Sequence, residues 1–207
     1  MFSGDVQIAP QVTLLRGFAA PTDALIATID EVARAAPFRH LQVPGGGRMS
    51  VAMTNTGPWG WHSDTTGYRY LAADPATGHA WPPMPAAFLR LARTAAKRCG
   101  FCDFTPDACL INRYAVEARM GTHRDYDEHD MQFPIVSVSI GLPAVFLWYG
   151  SERRGTPVKV PLEDGDVVVW GGMARAGYHG VRKIEAGRHS LTGALRYNLT
   201  FRRAAAG

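Results

Sequence analysis

A chain of 207 residues with 46% hydrophobic and 19% charged side chains has ordinary globular composition, enough for one domain with a substantial core. A net charge of +4 and a pI near 9.1 fit a phosphate-bearing partner without demanding one. The longest apolar run, Leu142 to Tyr149, is far too short to cross a bilayer, and Met1-Phe2-Ser3-Gly4-Asp5 lacks a basic segment followed by an apolar one, so a cytoplasmic protein is expected. The first predicted element is a helix from about Thr22 to Ala36, with Leu25, Ile26, Ile29, Val32 and Ala33 on its apolar stripe, Thr22 as N-cap and Pro37 as terminator. Residues 45–81, rich in Gly, Thr and aromatics, read as irregular chain or short hairpins. A second helix, about Pro85 to Arg98, places Phe88, Leu89, Ala92, Ala95 and Ala96 on one side and stops at Gly100.

Three cysteines, Cys99, Cys102 and Cys109, are expected to be free thiols. Cys99 and Cys102 form one C-x-x-C, but no second pair completes a zinc site and no strand-then-helix context supports redox chemistry. From Asp107 onward the period changes to two. Ala108 to Ala115, Phe133 to Ile140, Ala144 to Tyr149, Val158 to Leu162, Asp166 to Trp170 and Leu195 to Arg203 read as strands, separated by turn signals such as Glu163-Asp164-Gly165. Short strands after a helical beginning predict a mainly β, α+β fold, a sandwich or jelly-roll barrel buttressed by helices. No repeat is present, and the trailing Ala204-Ala205-Ala206-Gly207 is expected to fray.

The chemistry-bearing residues lie in this second half. On extended chain His123 and Asp125 leave the same face roughly 6.6 Å apart, close enough to converge on one ion. Asp127 and His129 continue the alternation at roughly 13 and 20 Å from His123, out of reach unless the chain turns. A third ligand must come from another strand. His179, in Gly177-Tyr178-His179-Gly180, is the best candidate because its flanking glycines permit close backbone approach, and His129 is the competitor. Two imidazoles and a carboxylate are the set that leaves three positions open on a non-haem Fe(II).

The last strand puts Arg196, Asn198, Thr200 and Arg202 on one face and Tyr197, Leu199 and Phe201 on the other. Two inward guanidinium groups need an anion, and a two-headed carboxylate cosubstrate would supply one. In the strand around Cys109, Asn112 and Tyr114 share a face with Leu110. Each of these also has a bland reading: Arg196 and Arg202 in water at a sheet edge, and Asn112 and Tyr114 satisfied inside the core.

Taken in order, Ser50-Val51-Ala52-Met53-Thr54-Asn55, residues 107–114, Pro134-Ile135-Val136-Ser137-Val138-Ser139, residues 165–172 and residues 196–202 resemble the AlkB-type Fe(II)- and 2-oxoglutarate-dependent dioxygenases that repair alkylated nucleic acid. The resemblance covers most of the chain. It implies a double-stranded β-helix (jelly roll) core at about residues 107–203, a nucleotide-recognition lid at about 45–81, and one dioxygenase domain over 1–207. By the same resemblance His123, Asp125 and His179 bind iron and act catalytically, and Asn112, Tyr114, Arg196, Asn198 and Arg202 hold 2-oxoglutarate, with O2 the other cosubstrate. Decarboxylation to succinate is coupled to hydroxylation of an N-methyl group, which is released as formaldehyde.

The substrates so implied are 1-methyladenine and 3-methylcytosine in single- or double-stranded DNA, with RNA a further candidate and the protein a monomer that binds no membrane. The base is expected to leave the stack and enter a slot made by Met53, Trp61, Tyr68 and Tyr70, with Asp127 beside it and Arg153, next to Arg154, on the backbone. Arg124, Tyr126, Met120 and Trp148-Tyr149 depart from the pattern. Two alternatives remain beside this reading: a dioxygenase of the same fold acting on a protein or small molecule, and a non-catalytic barrel that binds nucleic acid.

Overall fold

Polar turn residues and period-two apolar runs divide the chain into short strands that pair antiparallel throughout. The computed structural model describes residues 4–205. The chain enters through the hairpin β1 (Asp5–Ala9) and β2 (Val12–Leu15), followed by helix α1 (Asp23–Ala35). Then come β3 (Ala52–Thr56), the hairpin β4 (Gly60–Asp64) and β5 (Gly67–Leu71), and helix α2 (Ala86–Arg98). The remaining strands are β6 (Ala108–Tyr114), β7 (Met120–His123), β8 (Ile135–Gly141), β9 (Ala144–Gly150), β10 (Val158–Leu162), β11 (Val167–Trp170), β12 (Tyr178–Val181) and β13 (Arg196–Arg202), with a short 3-10 turn at Gly172–Ala174.

Seven strands form the larger sheet in the order β1-β2-β11-β8-β13-β6-β3, and four form the smaller in the order β10-β9-β12-β7. β4 and β5 stand apart as a two-stranded ribbon. The larger sheet is buried on both faces, and its alternation sorts side chains between two layers rather than between core and water. Tyr197, Leu199 and Phe201 of β13, Cys109 and Ile111 of β6, and Val136, Val138 and Ile140 of β8 meet Leu25, Ile29 and Val32 of α1 and Phe88, Ala92, Ala95 and Ala96 of α2. The opposite face packs on the smaller sheet through two apolar clusters. One holds Val12, Leu14, Ile135, Phe146, Trp148, Val168 and Trp170. The other holds Met53, Leu110, Tyr114, Leu142 and Ala144. The candidate site lies in the gap between them.

This is the jelly roll with two buttressing helices that the periodicity predicts. Several details differ. β1, β2, β3, β7 and β12 extend the two sheets beyond the expected strands, whereas the 45–81 stretch does hold a short hairpin, with Trp61 opposite Tyr70 and Ser63 opposite Tyr68. Thr22 occupies the N-cap position of α1, but its hydroxyl donates to Asp164 (2.9 and 3.0 Å), tying the helix start to the β10–β11 turn instead of capping it. Ala204 is buried rather than frayed, because the Asp107 carboxylate accepts the backbone N–H groups of Ala204 (2.6 Å) and Ala205 (3.1 Å). Ala206 and Gly207 lie outside the described residues, as do Met1 to Ser3. No described helix is long and apolar enough to cross a membrane.

Candidate active site

The end of β7 and the start of β12 run side by side with His123 opposite His179, and Asp125 follows two residues after His123. The ligating atoms of His123, Asp125 and His179 all lie within 4.8 Å of one another. His123 Nε2 stands 3.7 Å from Asp125 Oδ1, and His179 Nε2 stands 3.9 Å from Asp125 Oδ2. Each imidazole places Nδ1 against a carbonyl, Gly121 O at 2.9 Å and Gly177 O at 3.0 Å, a partner that takes the Nδ1 proton and leaves the Nε2 lone pair free for a metal. His129, the competing third ligand, is exposed and sits outside this cluster because residues 124–130 leave the strand and turn.

His179 is enclosed by Trp170, Phe146 and Trp148, with ring centroids 4.9, 5.7 and 6.4 Å away. That burial, aided by His123, pushes its pKa down to about 3, so it stays neutral and ready to ligate. Burial alone would raise the Asp125 carboxyl, but Arg202, His179, His123 and Arg175 outweigh it and hold the group ionised well below the usual carboxylate range. The two glycines matter for approach rather than for dihedral freedom. A Cβ on Gly177 would stand 2.2 Å from the Trp148 ring, and one on Gly180 would stand 3.0 Å from Met120 O. Gly177→Ala is therefore expected to displace His179, weakening Mn(II) or Fe(II) binding roughly tenfold or more and costing about 1–3 kcal/mol of stability. Metal titration of folded protein measures the first, and urea unfolding the second.

Beneath the triad is a cavity of about 80 Å³, and it is lined by Met53, Trp61, Asn112, Tyr114, Arg196, Asn198 and Arg202 together with His123, Asp125 and His179. Arg196 is opposite Tyr114, and Asn198 opposite Asn112, across the β13–β6 ladder. Arg196 is 1% exposed. Its Nη2 donates to Ser139 Oγ (3.0 Å) and its guanidinium lies 4.7 Å over the Tyr114 ring, while Nε and Nη1 have no hydrogen-bond partner. Asn112 Oδ1 is also unpartnered. A buried guanidinium facing a cavity with two open N–H positions fits a carboxylate. Asn198 is already satisfied: its amide nitrogen donates to Ser137 Oγ and Val138 O, and its oxygen accepts from Thr200 and Asn112.

Arg202 lines the same cavity, but its guanidinium already has anions. Nε and Nη2 both donate to Asp125 Oδ2 (3.0 and 2.8 Å), and Nε lies 3.3 Å from Glu128 Oε1. Glu128 in turn accepts from the Tyr70 hydroxyl (2.7 Å) and pairs with Arg175 Nη2 (3.0 Å). Arg175 donates to Asp125 O and Phe133 O, fixing the ligand-bearing loop. Sequence reasoning missed Glu128 and Arg175. Strict alternation from Asp125 turns Glu128 away from the ion, and only the turn after β7 brings it back inside. Tyr70 lines neither the cavity nor the groove outside it, but a neighbouring recess shared with Tyr68 and Asp127.

Trp61 at the start of the β4–β5 ribbon is placed by Asn55, whose side chain accepts from Trp61 N (3.0 Å) and donates to Trp61 O (3.1 Å). Trp61 stacks on Tyr68, with centroids 5.6 Å apart and planes 15° apart, and donates through Nε1 to Asp127 Oδ2 (2.9 Å). Outside the cavity a groove of about 730 Å³ is bordered by Trp61, Tyr68, Asp127, Arg119, Arg124, Arg153 and Tyr178. Of the expected substrate contacts, Met53 and Trp61 reach the cavity, and Tyr68, Asp127 and Arg153 border the groove. Cys99, Cys102 and Cys109 are free thiols that line neither the cavity nor the groove, and burial raises Cys99 to about 11, an inert thiol.

Comparison with known proteins places this geometry. The 2OG-Fe(II) oxygenase superfamily model matches residues 11–202. Alpha-ketoglutarate-dependent dioxygenase AlkB of Salmonella typhimurium (strain LT2) is 50% identical over 200 residues, 96% of this chain and 92% of that one. The protein of the same description from Escherichia coli (strain K12) is 50% identical over 198 residues, 95% of this chain and 92% of the other. The solved structure of OsALKBH1 superposes with a TM-score of 0.84 at 27% identity, covering 96% of this chain and 99% of that one. A His-Asp-His cluster on the smaller sheet, a buried cation lining the same cavity and near full-length identity at this level converge on one conclusion: the chain belongs to the 2OG-Fe(II) oxygenase superfamily, among its AlkB-type members.

Proposed function

We propose that this chain is an oxidative demethylase of N-alkylated bases, 1-methyladenine and 3-methylcytosine, in DNA and RNA, using Fe(II), 2-oxoglutarate and O2. The observation that carries the reading is the His123–Asp125–His179 cluster lining the same cavity as Arg196, a buried cation with two unpartnered nitrogens. In this reading His123, Asp125 and His179 hold the iron through two neutral imidazoles and one carboxylate. Arg196 binds the distal carboxylate of 2-oxoglutarate through its open N–H groups, Asn112 and Tyr114 flank it, and Asn198 and Arg202 position their neighbours. Fe(II) with 2-oxoglutarate and O2 supplies the oxidising power that hydroxylates the methyl carbon.

The protein contributes orientation and dryness. The lesion base leaves its stack and enters the cavity that Trp61 and His123 both line, with Met53 below. Asp127, fixed by the Trp61 indole, sits where it favours a cationic base, and methylation at N1 of adenine or N3 of cytosine makes the base cationic while blocking its pairing. Arg153 meets the nucleic-acid backbone at the groove rim. We further propose one domain over 1–207, with residues 45–81 as the lid, acting as a cytoplasmic monomer. The aromatic groove beside the metal cluster favours nucleic acid over a protein or small-molecule substrate.

Single-stranded DNA carrying one N1-methyladenine tests the proposal. With Fe(II), 2-oxoglutarate and ascorbate, formaldehyde and succinate are expected in equal amounts, and His179→Ala is expected to produce neither. Succinate without formaldehyde would point to a different substrate.

A further inference from the structure

Three side chains alternate with the metal ligands and share their chain segments. Arg124 separates His123 from Asp125, Tyr126 follows Asp125, and Tyr178 precedes His179. The three ligands line the cavity, and none of these three side chains does. They converge on one another instead: the Arg124 guanidinium lies 4.5 Å over the Tyr126 ring and 5.4 Å over the Tyr178 ring. Arg124 is exposed and makes no ion pair among the described residues, and Tyr126 is 58% exposed.

The position of this cluster is informative. Arg124 and Tyr178 border the groove that also holds Trp61, Asp127 and Arg153. Arg124 is at the same time a wall of a second recess of about 380 Å³, lined by Pro10, Trp148, Ser151 and Met173, and Met173 is 91% exposed at its rim. A path therefore runs from the groove across the Arg124 plane into the recess. Arg119, Arg124 and Arg153 make the path cationic, complementary to a phosphate backbone. Aromatic and guanidinium planes stack nucleobases without regard to their identity.

We propose that Arg124, Tyr126 and Tyr178 form a stacking platform for the unpaired base adjacent to the lesion, with the strand continuing into the recess beside Met173. The inference rests on the nucleic-acid reading above and extends it. Extruding one base removes a stacking partner from its neighbour, and a platform whose residues adjoin the metal ligands in sequence replaces it. The occupant is single-stranded nucleic acid, which alone supplies both an unpaired base and a phosphate at each step.

The experiment is anaerobic binding of protein loaded with Fe(II) and 2-oxoglutarate to short single strands carrying one N1-methyladenine, read by fluorescence anisotropy at several salt concentrations. The base on each side of the lesion is replaced in turn by an abasic site. In the intact protein, loss of one flanking base is expected to weaken binding about five- to a hundredfold. In Arg124→Ala and Tyr126→Ala the base-to-abasic ratio is expected to fall near one, with the salt slope unchanged in Tyr126→Ala. Equal binding of base-bearing and abasic strands by the intact protein overturns the platform without any variant being made. A salt slope reduced by about one in Arg124→Ala with the ratio intact also overturns it, because Arg124 would then meet a phosphate. Absence of binding to any methylated strand sinks the platform together with the reading beneath it, a failure the formaldehyde assay reports separately.

Discussion

Arg196→Met is expected to leave the ligand-free protein at least as stable as the parent while abolishing the rise in Tm that 2-oxoglutarate produces. Arg196 is a buried cation with two unpartnered nitrogens and no carboxylate within reach, a cost that methionine of similar length removes. In the intact protein, cosubstrate at a hundred times its Kd contributes about 2.7 kcal/mol, or roughly 5–10 °C in a domain of this size. Removing one member of a buried charge pair costs about 2–5 kcal/mol of binding, so apparent affinity should fall by roughly thirtyfold to several thousandfold. Differential scanning fluorimetry with and without 2-oxoglutarate separates the roles. A drop in the ligand-free Tm with the cosubstrate shift preserved would make Arg196 a structural residue.

The second large effect is expected at Glu128. Glu128→Ala takes an anion from Arg202 and Arg175 and the acceptor from Tyr70, all inside the protein. Breaking a buried pair from one side costs about 3–5 kcal/mol, because the stranded cations remain. Tyr70→Phe removes only the hydroxyl donor and should cost about 1.5–3 kcal/mol, as for a hydrogen bond to a charged group. Urea unfolding of the two single variants and the double variant measures the coupling, expected to be large because both remove the same contact. A cost below about 1 kcal/mol for Glu128→Ala would mean that residues 124–130 are solvated and the network is open. Arg202 binds Asp125 from the same cluster, so metal affinity should fall along with stability.

β8 and β13 were legible from period because both their faces are buried, and the edge strand β10 because its alternate residues Val160 and Leu162 are. β6, β8, β9, β10, β11 and β13 fall within a residue or two of expectation. β7 and β12 were not recognised, since each has four residues and carries glycine, and their ladder contains a bulge. The sequence nevertheless singled out the three residues that converge here, because His123, Asp125 and His179 are chemically distinctive even where the chain around them is not. What it could not show was the fate of charge. Arg196 and Arg202 look equivalent by alternation, yet one keeps two N–H groups unpartnered at the cavity wall and the other is engaged by Asp125 and Glu128. That difference depends on a turn after β7, for which residues 124–130 carry no periodic signal. The Thr22 hydroxyl was similarly diverted by a partner 142 positions away, beyond the reach of any capping rule.

β13 has all seven of its residues buried, its odd members against the helices and its even members against the site. A slip of one position would carry Leu199 and Phe201 into the cavity and drive Arg196 and Arg202 into the apolar layer beneath α1 and α2. No misaligned chain could then be stable yet idle. Quality control by folding and assembly of the reactive centre are one event here, and a molecule that passes the first has already completed the second.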